Sequence, residues 1–409
     1  MHQYLFLTIL LILIADFGLE RILSYLNIKH SKLVLPSILA DIYDTEKYNK
    51  QQEYFRTNSR FGMLSSTFSF VLTFGMYALG GFGWLDAALT PLISNEILRS
   101  LAFFGLLFLA NDLLSIPFDC YDTFVIEQRF GFNKVTPKIF IFDKLKGYLL
   151  TLVLGGGLLY LIISIYNFSA QYFWLIAFAV VTAFSLFMSL FYSELIVPLF
   201  NKQTPLPEGE LRTEIEKFAQ KSNFKLTNIY VIDGSKRSTK ANAYFTGFGP
   251  KKRIVLYDTL MDKLSTDEIV AVLAHEVGHY KHKHTLKNML LSLPTTLLLF
   301  YLLGLILKSD ALAQALGGTT ANFHLNVLAF GIIYSPASLL LDLFNNQLSR
   351  KYEYQADRYA ASYGLGEQLI SGLKSLSSTS LSNLMPHPAY VFFHYSHPTL
   401  YQRIQNINS

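Results

Sequence analysis

Ser265–His284 reads STDEIVAVLAHEVGHYKHKH, and its contrast with the chain on either side decides the fold class. The spacing within it predicts a helix. Ser265 and Glu268 stand in the positions of a capping box, Asp267 and Glu268 put negative charge in the first turn, and basic residues crowd the far end. Ile269, Val270, Val272 and Leu273 supply apolar neighbours. His275 and His279 fall one turn apart on one face, where two imidazoles can hold one zinc. Glu276 projects beside that pair, placed to take a proton from a water on the metal. His282 and His284 are expected to be solvated side chains facing the helix dipole rather than ligands.

On either side of this stretch the chain turns apolar. Of 409 residues 51% are hydrophobic and only 15% charged, which excludes an ordinary soluble protein and predicts a mainly α-helical polytopic membrane protein. About seven runs are long enough to span: Tyr4 to about Leu26, Gly62–Leu85, Leu98–Phe118, Gly147–Tyr166, Tyr172–Val197, Met289–Leu307 and Asn322–Phe344, with kinks expected at Pro294 and Pro336. The first run has no Lys or Arg before it and no small-residue cleavage site after it, so it is expected to be retained. The loops after the first, third and fifth spans carry the Lys and Arg, as does the tail, whereas the alternate loops are almost bare. The positive-inside rule then places the N-terminus outside, with the HExxH segment and the tail on the cytoplasmic side. The net charge of +5 is therefore topology information, with no nucleic-acid signature beside it. A single cysteine, Cys120, excludes an internal disulfide and a cysteine-based zinc site, leaving His and carboxylate as ligands.

Four units follow: a membrane region (1–197), an α/β insert with the HExxH helix (198–288), the last two spans (289–344) and a helical tail (345–409). In the insert, Glu208–Lys221 has the pattern of an amphipathic helix and Asn228–Asp233 that of a strand. Ala241–Gly247 and Arg253–Tyr257 form a hairpin around a Gly/Pro turn at Gly247–Lys252.

Zinc needs a third protein ligand and an open position. In the tail, Glu353 and Asp357 lie one helical turn apart. That spacing lets one carboxylate bind zinc, assigned to Glu353, while Asp357 fixes a ligating imidazole through its N–H. An ordinary charged helix, its acids paired with Arg350 and Arg358, accounts for the same spacing. Further on, His397 and Arg403 are suitable donors to a developing oxyanion. By residue chemistry alone a structural histidine before Pro398 accounts for His397 better.

HEVGH together with SRKYEYQAD, HYSHPTLYQRI, SKRSTKANAYFTGFG and FVIEQRFGFNK resembles the Ste24-type CAAX prenyl protease family, membrane zinc metalloproteases of the M48 class, over nearly the whole chain. The resemblance implies one Zn²⁺ on His275, His279 and Glu353, Glu276 as general base and Asp357 in support. It implies His397 and Arg403 beside the oxyanion and substrate, and Asn242 on an edge strand along which a peptide adds by main-chain hydrogen bonds. It also implies spans enclosing a water-filled intramembrane chamber, which accounts for Asp16, Asn111, Asp112 and Glu194 at membrane depth. Two features depart from the family pattern. The Lys308–Ala321 loop is brief, arguing against a lumenal cap, and the tail carries no ER-retrieval signal.

The implied function is a membrane zinc endopeptidase removing the C-terminal -aaX tripeptide of prenylated proteins, with a peptide or protein substrate and membrane lipid as partners and no nucleic acid. The membrane is the endoplasmic reticulum in a eukaryote and the inner membrane in a bacterium. Two alternatives stand beside it: a quality-control protease without prenyl specificity, and a channel or transporter with structural zinc. The latter gives Glu276 no task.

Overall fold

The structure, a computed structural model, describes residues 1–32, 35–225, 228–246 and 253–409. Its membrane region is a ring of long helices: α1 (His2–His30), α2 (Thr45–Ala78), the short α3 (Gly81–Leu89), α4 (Glu96–Phe130), α5 (Pro137–Phe168) and α6 (Phe173–Phe200). After an insert containing α7 (Glu210–Lys221), α8 (Asp258–Met261) and α9 (Thr266–Lys281) come α10 (His284–Ile306), α11 (Asp310–Ala315) and α12 (Phe323–Ser362). The chain closes with α13 (Gly366–Thr379), α14 (Pro388–His394) and α15 (Leu400–Asn408). Among the described residues six helices, α2, α4, α5, α6, α10 and α12, are long and apolar enough to cross a membrane. The expected first span forms α1, whose 29 residues reach about 43 Å at 1.5 Å per residue.

Pairs of side chains trace the ring. Phe17 of α1 stacks on Phe70 of α2 at 4.0 Å. Phe68 of α2 meets Phe118 of α4, and Phe108 of α4 meets Tyr148 of α5. Tyr166 of α5 packs edge-on to Phe173 of α6, and Trp174 of α6 to Tyr301 of α10. His284 of α10 lies on Tyr352 of α12, and Ser335 of α12 donates to Asp16 of α1 at 2.7 Å, closing the circle. These seams are narrow. Only 6–11% of the residues in each apolar window are buried, so each helix keeps open surface on both sides of its seams.

One end of the ring is covered by α3 and α11. Gly83 donates its N–H to the Leu316 carbonyl at 2.9 Å, and a Cβ at Gly83 would lie 2.0 Å from the Gly317 oxygen, so only glycine permits this approach. The brief Lys308–Ala321 loop thus contributes a packed helix, although it is short. Beside it, His324 of α12 joins Asp86 of α3 (2.8 Å) to Ser100 of α4 (3.0 Å).

At the opposite end stands the α/β insert. Four strands, β1 (Gln203–Pro205), β2 (Asn228–Ile232), β3 (Ala243–Thr246) and β4 (Arg253–Tyr257), form a sheet in the order β1-β2-β4-β3. The central pair β2–β4 is parallel and both outer pairs are antiparallel, with Tyr244 opposite Val255. The expected hairpin is therefore present, while its Gly247–Lys252 turn lies outside the described residues. Ile215 and Phe218 of α7, Ile254 and Leu256 of β4, and Ile269, Leu273 and Val277 of α9 share one buried core. That core fixes α9, and with it the HExxH face.

Several boundaries differ from expectation. The second span ends at Ala78 rather than Leu85, because Gly80 adopts a left-handed conformation (φ 70°) and α3 starts a new direction. Two helices run far beyond their apolar parts: α2 begins at Thr45, capped by Asp44, and α12 continues unbroken through Pro336 to Ser362. The unit boundaries at 197/198, 288/289 and 344/345 all fall inside helices.

Candidate metal centre

The capping box anticipated at Ser265 is formed in both directions. Ser265 Oγ accepts from the Glu268 N–H at 3.3 Å, and Glu268 Oε2 accepts from the Ser265 N–H at 2.8 Å. From this fixed start α9 carries His275 and His279 to the face it turns toward α12. The two helices approach closely at Gly278, where an added Cβ would sit 3.0 Å from both Ala356 Cα and Tyr359 Cβ. That approach brings Glu353 onto the histidine pair.

The ligand atoms of His275, His279 and Glu353 all lie within 4.8 Å of one another. His275 Nε2 stands 3.1 Å from His279 Nε2; Glu353 Oε1 stands 3.1 Å from His279 Nε2, and Oε2 3.4 Å from His275 Nε2. Tetrahedral ligands held at about 2.0–2.1 Å from one zinc are about 3.3–3.4 Å apart, so these spacings fit. Glu353 Oε2 is also buried without a hydrogen-bond partner, an acceptor that a cation would satisfy. Two imidazoles and a carboxylate suit zinc, and the residues fit the group.

Each imidazole is held from behind. His275 Nδ1 lies 2.8 Å from Asp357 Oδ1, and the fully buried Asp357 accepts from Arg403 Nη2 (2.6 Å) and Nε (3.0 Å). Burial works against charge on His275, yet the Asp357 and Glu353 carboxylates outweigh it and hold its pKa up at about 9. Ligation of a metal by His275 Nε2 would require loss of that proton. Burial likewise opposes the Arg403 charge, and Asp357 more than offsets it. The alternative pairing of Glu353 and Asp357 with Arg350 and Arg358 is not formed: Arg350 serves the Val391 and Tyr395 carbonyls instead.

Behind His279 stands a residue that periodicity does not reveal. His284 is 2% exposed, its Nδ1 is 3.0 Å from His279 Nδ1, and its Nε2 is 2.8 Å from Gln355 Oε1. The expectation of a solvated His284 is corrected here, while His282 is exposed as anticipated. An uninterrupted helix would turn residue 284 away from His279. Lys283, in the left-handed region at φ 58°, breaks α9 from α10 and swings His284 back beneath it.

In front of the cluster opens a cavity of about 850 Å³ lined by Glu276, His279, Glu353, His397 and Tyr352. His397 is exposed, with Nε2 3.4 Å from Glu353 Oε1 and Nδ1 2.9 Å from Ser396 Oγ. Arg403 lies on the buried side; with Nε and Nη2 engaged by Asp357, Nη1 remains, 3.7 Å from Glu353. Asn242 is exposed just ahead of the edge strand β3, its carbonyl accepting from the Tyr257 N–H at 3.1 Å.

The segment leading to Asn242 is tied to the membrane helices. Arg237 makes a bidentate bridge to Asp143, both bonds 2.8 Å, and Lys240 bonds Glu127 (2.7 Å) and Tyr54 (2.8 Å). Glu127 lies in a π-helical turn, Asp122–Glu127, of α4. The FVIEQRFGFNK and SKRSTKANAYF segments thus interlock, setting the edge strand against α2 and α4.

Residues 24–202 match the CAAX prenyl protease N-terminal family, described as five membrane helices, and residues 205–409 match peptidase family M48. The chain is 35% identical to CAAX prenyl protease 1 of Saccharomyces cerevisiae, covering 96% of this chain and 92% of that protein. It is 37% identical to the CAAX prenyl protease 1 homolog of Dictyostelium discoideum (97% and 96%) and 33% identical to that of Homo sapiens (92% and 89%). The crystal structure of S. mikatae Ste24p superposes with a TM-score of 0.91 at 34% identity, over 98% of each chain.

Proposed function

We propose that this chain, which belongs to peptidase family M48 and carries the N-terminal membrane unit of the CAAX prenyl proteases, removes the C-terminal -aaX tripeptide from prenylated proteins. The observation that carries the proposal is the His275–His279–Glu353 set facing a cavity that Glu276 and His397 also line. Zinc held there supplies a Lewis acid and makes water acidic enough to ionise near neutral pH. Glu276 takes the proton of the attacking water and returns it to the leaving amine. His397, exposed at the cavity wall, donates toward the oxygen of the scissile carbonyl. Asp357 and Arg403 hold the tautomer and orientation of His275. The substrate backbone adds to β3, the free edge of the sheet next to Asn242.

The same reading assigns the ring interior to a water-filled chamber and the four units to membrane, insert, spans and tail. The metal site faces the cytoplasm, as the basic loops require. Cleavage of one CAAX-ending peptide, with and without a farnesyl group on its cysteine and with a chelator control, tests it. Chelator-sensitive cleavage that depends on the lipid is the expected result. Equal cleavage of both peptides would establish instead a membrane protease without prenyl specificity.

A further inference from the structure

Away from the metal centre, the ends of α1 and α2 nearest the α/β insert enclose a second cavity of about 490 Å³. Tyr48, Gln52, Arg56 and Arg60 recur every four residues of α2, so they form one stripe of its wall, and Lys32 meets them from the end of α1. The wall is firmly built. Gln52 is buried and donates from Nε2 to the Ser31 carbonyl at 2.9 Å and to Gln51 Oε1 at 3.0 Å, fixing α2 to the end of α1. Glu53, the acid among the lining residues, is engaged by Arg129.

Among the described residues no carboxylate lies within 4.0 Å of Lys32, Arg56 or Arg60. Arg56 Nε is buried without a hydrogen-bond partner. The side chains of Arg56 and Arg60 line the cavity, and guanidinium groups without a carboxylate partner suit an acceptor that carries negative charge.

Depth indicates where that acceptor comes from. The apolar part of α2, Phe61 to Ala78, is about 27 Å long at 1.5 Å per residue, close to the roughly 30 Å of a hydrocarbon core. Arg60 and Arg56 therefore stand within about a turn of the hydrocarbon edge, where lipid phosphates lie. We propose that this cavity binds the phosphate of an anionic phospholipid headgroup, on the side of the membrane that bears the metal centre. Arg56 and Arg60 grip the phosphate oxygens, and Lys32 and Tyr48 complete the rim.

The test uses the purified full-length protein, delipidated and titrated with phosphatidic acid or phosphatidylcholine in detergent, with bound lipid read by native mass spectrometry. Phosphatidic acid is expected to be retained in preference to phosphatidylcholine. The Arg56→Gln/Arg60→Gln variant should weaken phosphatidic acid about thirtyfold, roughly fivefold for each cation removed. Arg60→Gln alone, at an exposed position with no described bond, gives the fivefold step even if the double variant folds poorly. Lys29→Gln/Lys50→Gln removes equal charge from the same two helices outside the cavity and should leave binding unchanged. Equal loss in that control, or no loss in the arginine variants, would overturn the site. Displacement of the lipid by inorganic phosphate at submillimolar concentration would make it a soluble-anion site and overturn the lipid assignment.

Discussion

Glu276 lines the cavity beside His279, while His284 stands behind that imidazole, and they do different things there. Glu276 faces the cavity and makes no bond to the ligand set, so its removal should spare the metal and stop the chemistry. Glu276→Gln is expected to keep full zinc content while kcat falls by at least about a hundredfold, the scale of a lost general base. Retained turnover at full zinc content would refute its role. His284 touches the metal site only through His279 and Gln355, and its loss leaves His279 Nδ1 without its partner. His284→Ala should weaken zinc by about 10–100-fold, with activity recovering as zinc is added in excess. Unchanged zinc affinity by competitive chelation would reduce His284 to a packing residue under Tyr352. Of the two, Glu276 was legible from the HExxH spacing. His284 was hidden because the left-handed residue that aims it is Lys283, and nothing about a lysine announces a break in a helix.

At the scale of elements, the site exists because two helices from different parts of the chain come unusually close. Gly278 of α9 lies against the backbone of α12 at Ala356. In an open helix Gly→Ala stabilises by roughly 0.5–1 kcal/mol, whereas forcing a methyl into a packed contact costs about 1–3 kcal/mol. The backbone of α12 cannot yield as a flexible side chain could, so the second effect wins. Gly278→Ala should lower the unfolding temperature and zinc affinity together, measured by thermal scans with and without chelator; a more stable variant with intact zinc binding would contradict this contact.

The elements themselves were legible in proportion to how far apolar pattern fixes them. The spans, the capped α9, the amphipathic α7 and the hairpin strands followed from periodicity, caps and turn residues. The extension of α2 below Phe61 did not, nor did the unbroken continuity of α12 from its span into the helical tail, because no apolar stripe marks where a span runs on as polar helix. Three-residue β1 is too short for alternation to show, and its pairing with β2 comes from tertiary placement. Glu353 and Asp357 were a spacing on a helix open to two accounts until α12 was seen to deliver both carboxylates to His275.

For the molecule as a whole, orientation decides which compartment the metal centre serves, and the single cysteine makes it measurable. With Cys120→Ser as a cysteine-free background, Ser94→Cys places a thiol in the exposed loop between α3 and α4, and Gln220→Cys places one on the exposed side of α7 in the insert. The basic loops flank the insert end of the ring and the bare loops the end covered by α3 and α11, so the positive-inside rule separates the two thiols across the membrane. A membrane-impermeant maleimide applied to sealed vesicles of cytoplasm-in orientation should label Ser94→Cys and spare Gln220→Cys until the membrane is opened. The reverse pattern would turn the ring over and place the cavity of Glu276 and His397 outside. A cytoplasmic prenylated C-terminus could not then reach it, and the substrate class would have to change with the topology. Labelling of both sites in sealed membranes would mean that the narrow seams between the helices do not close the ring to a reagent of that size. The ring would then leave an open passage between the two sides.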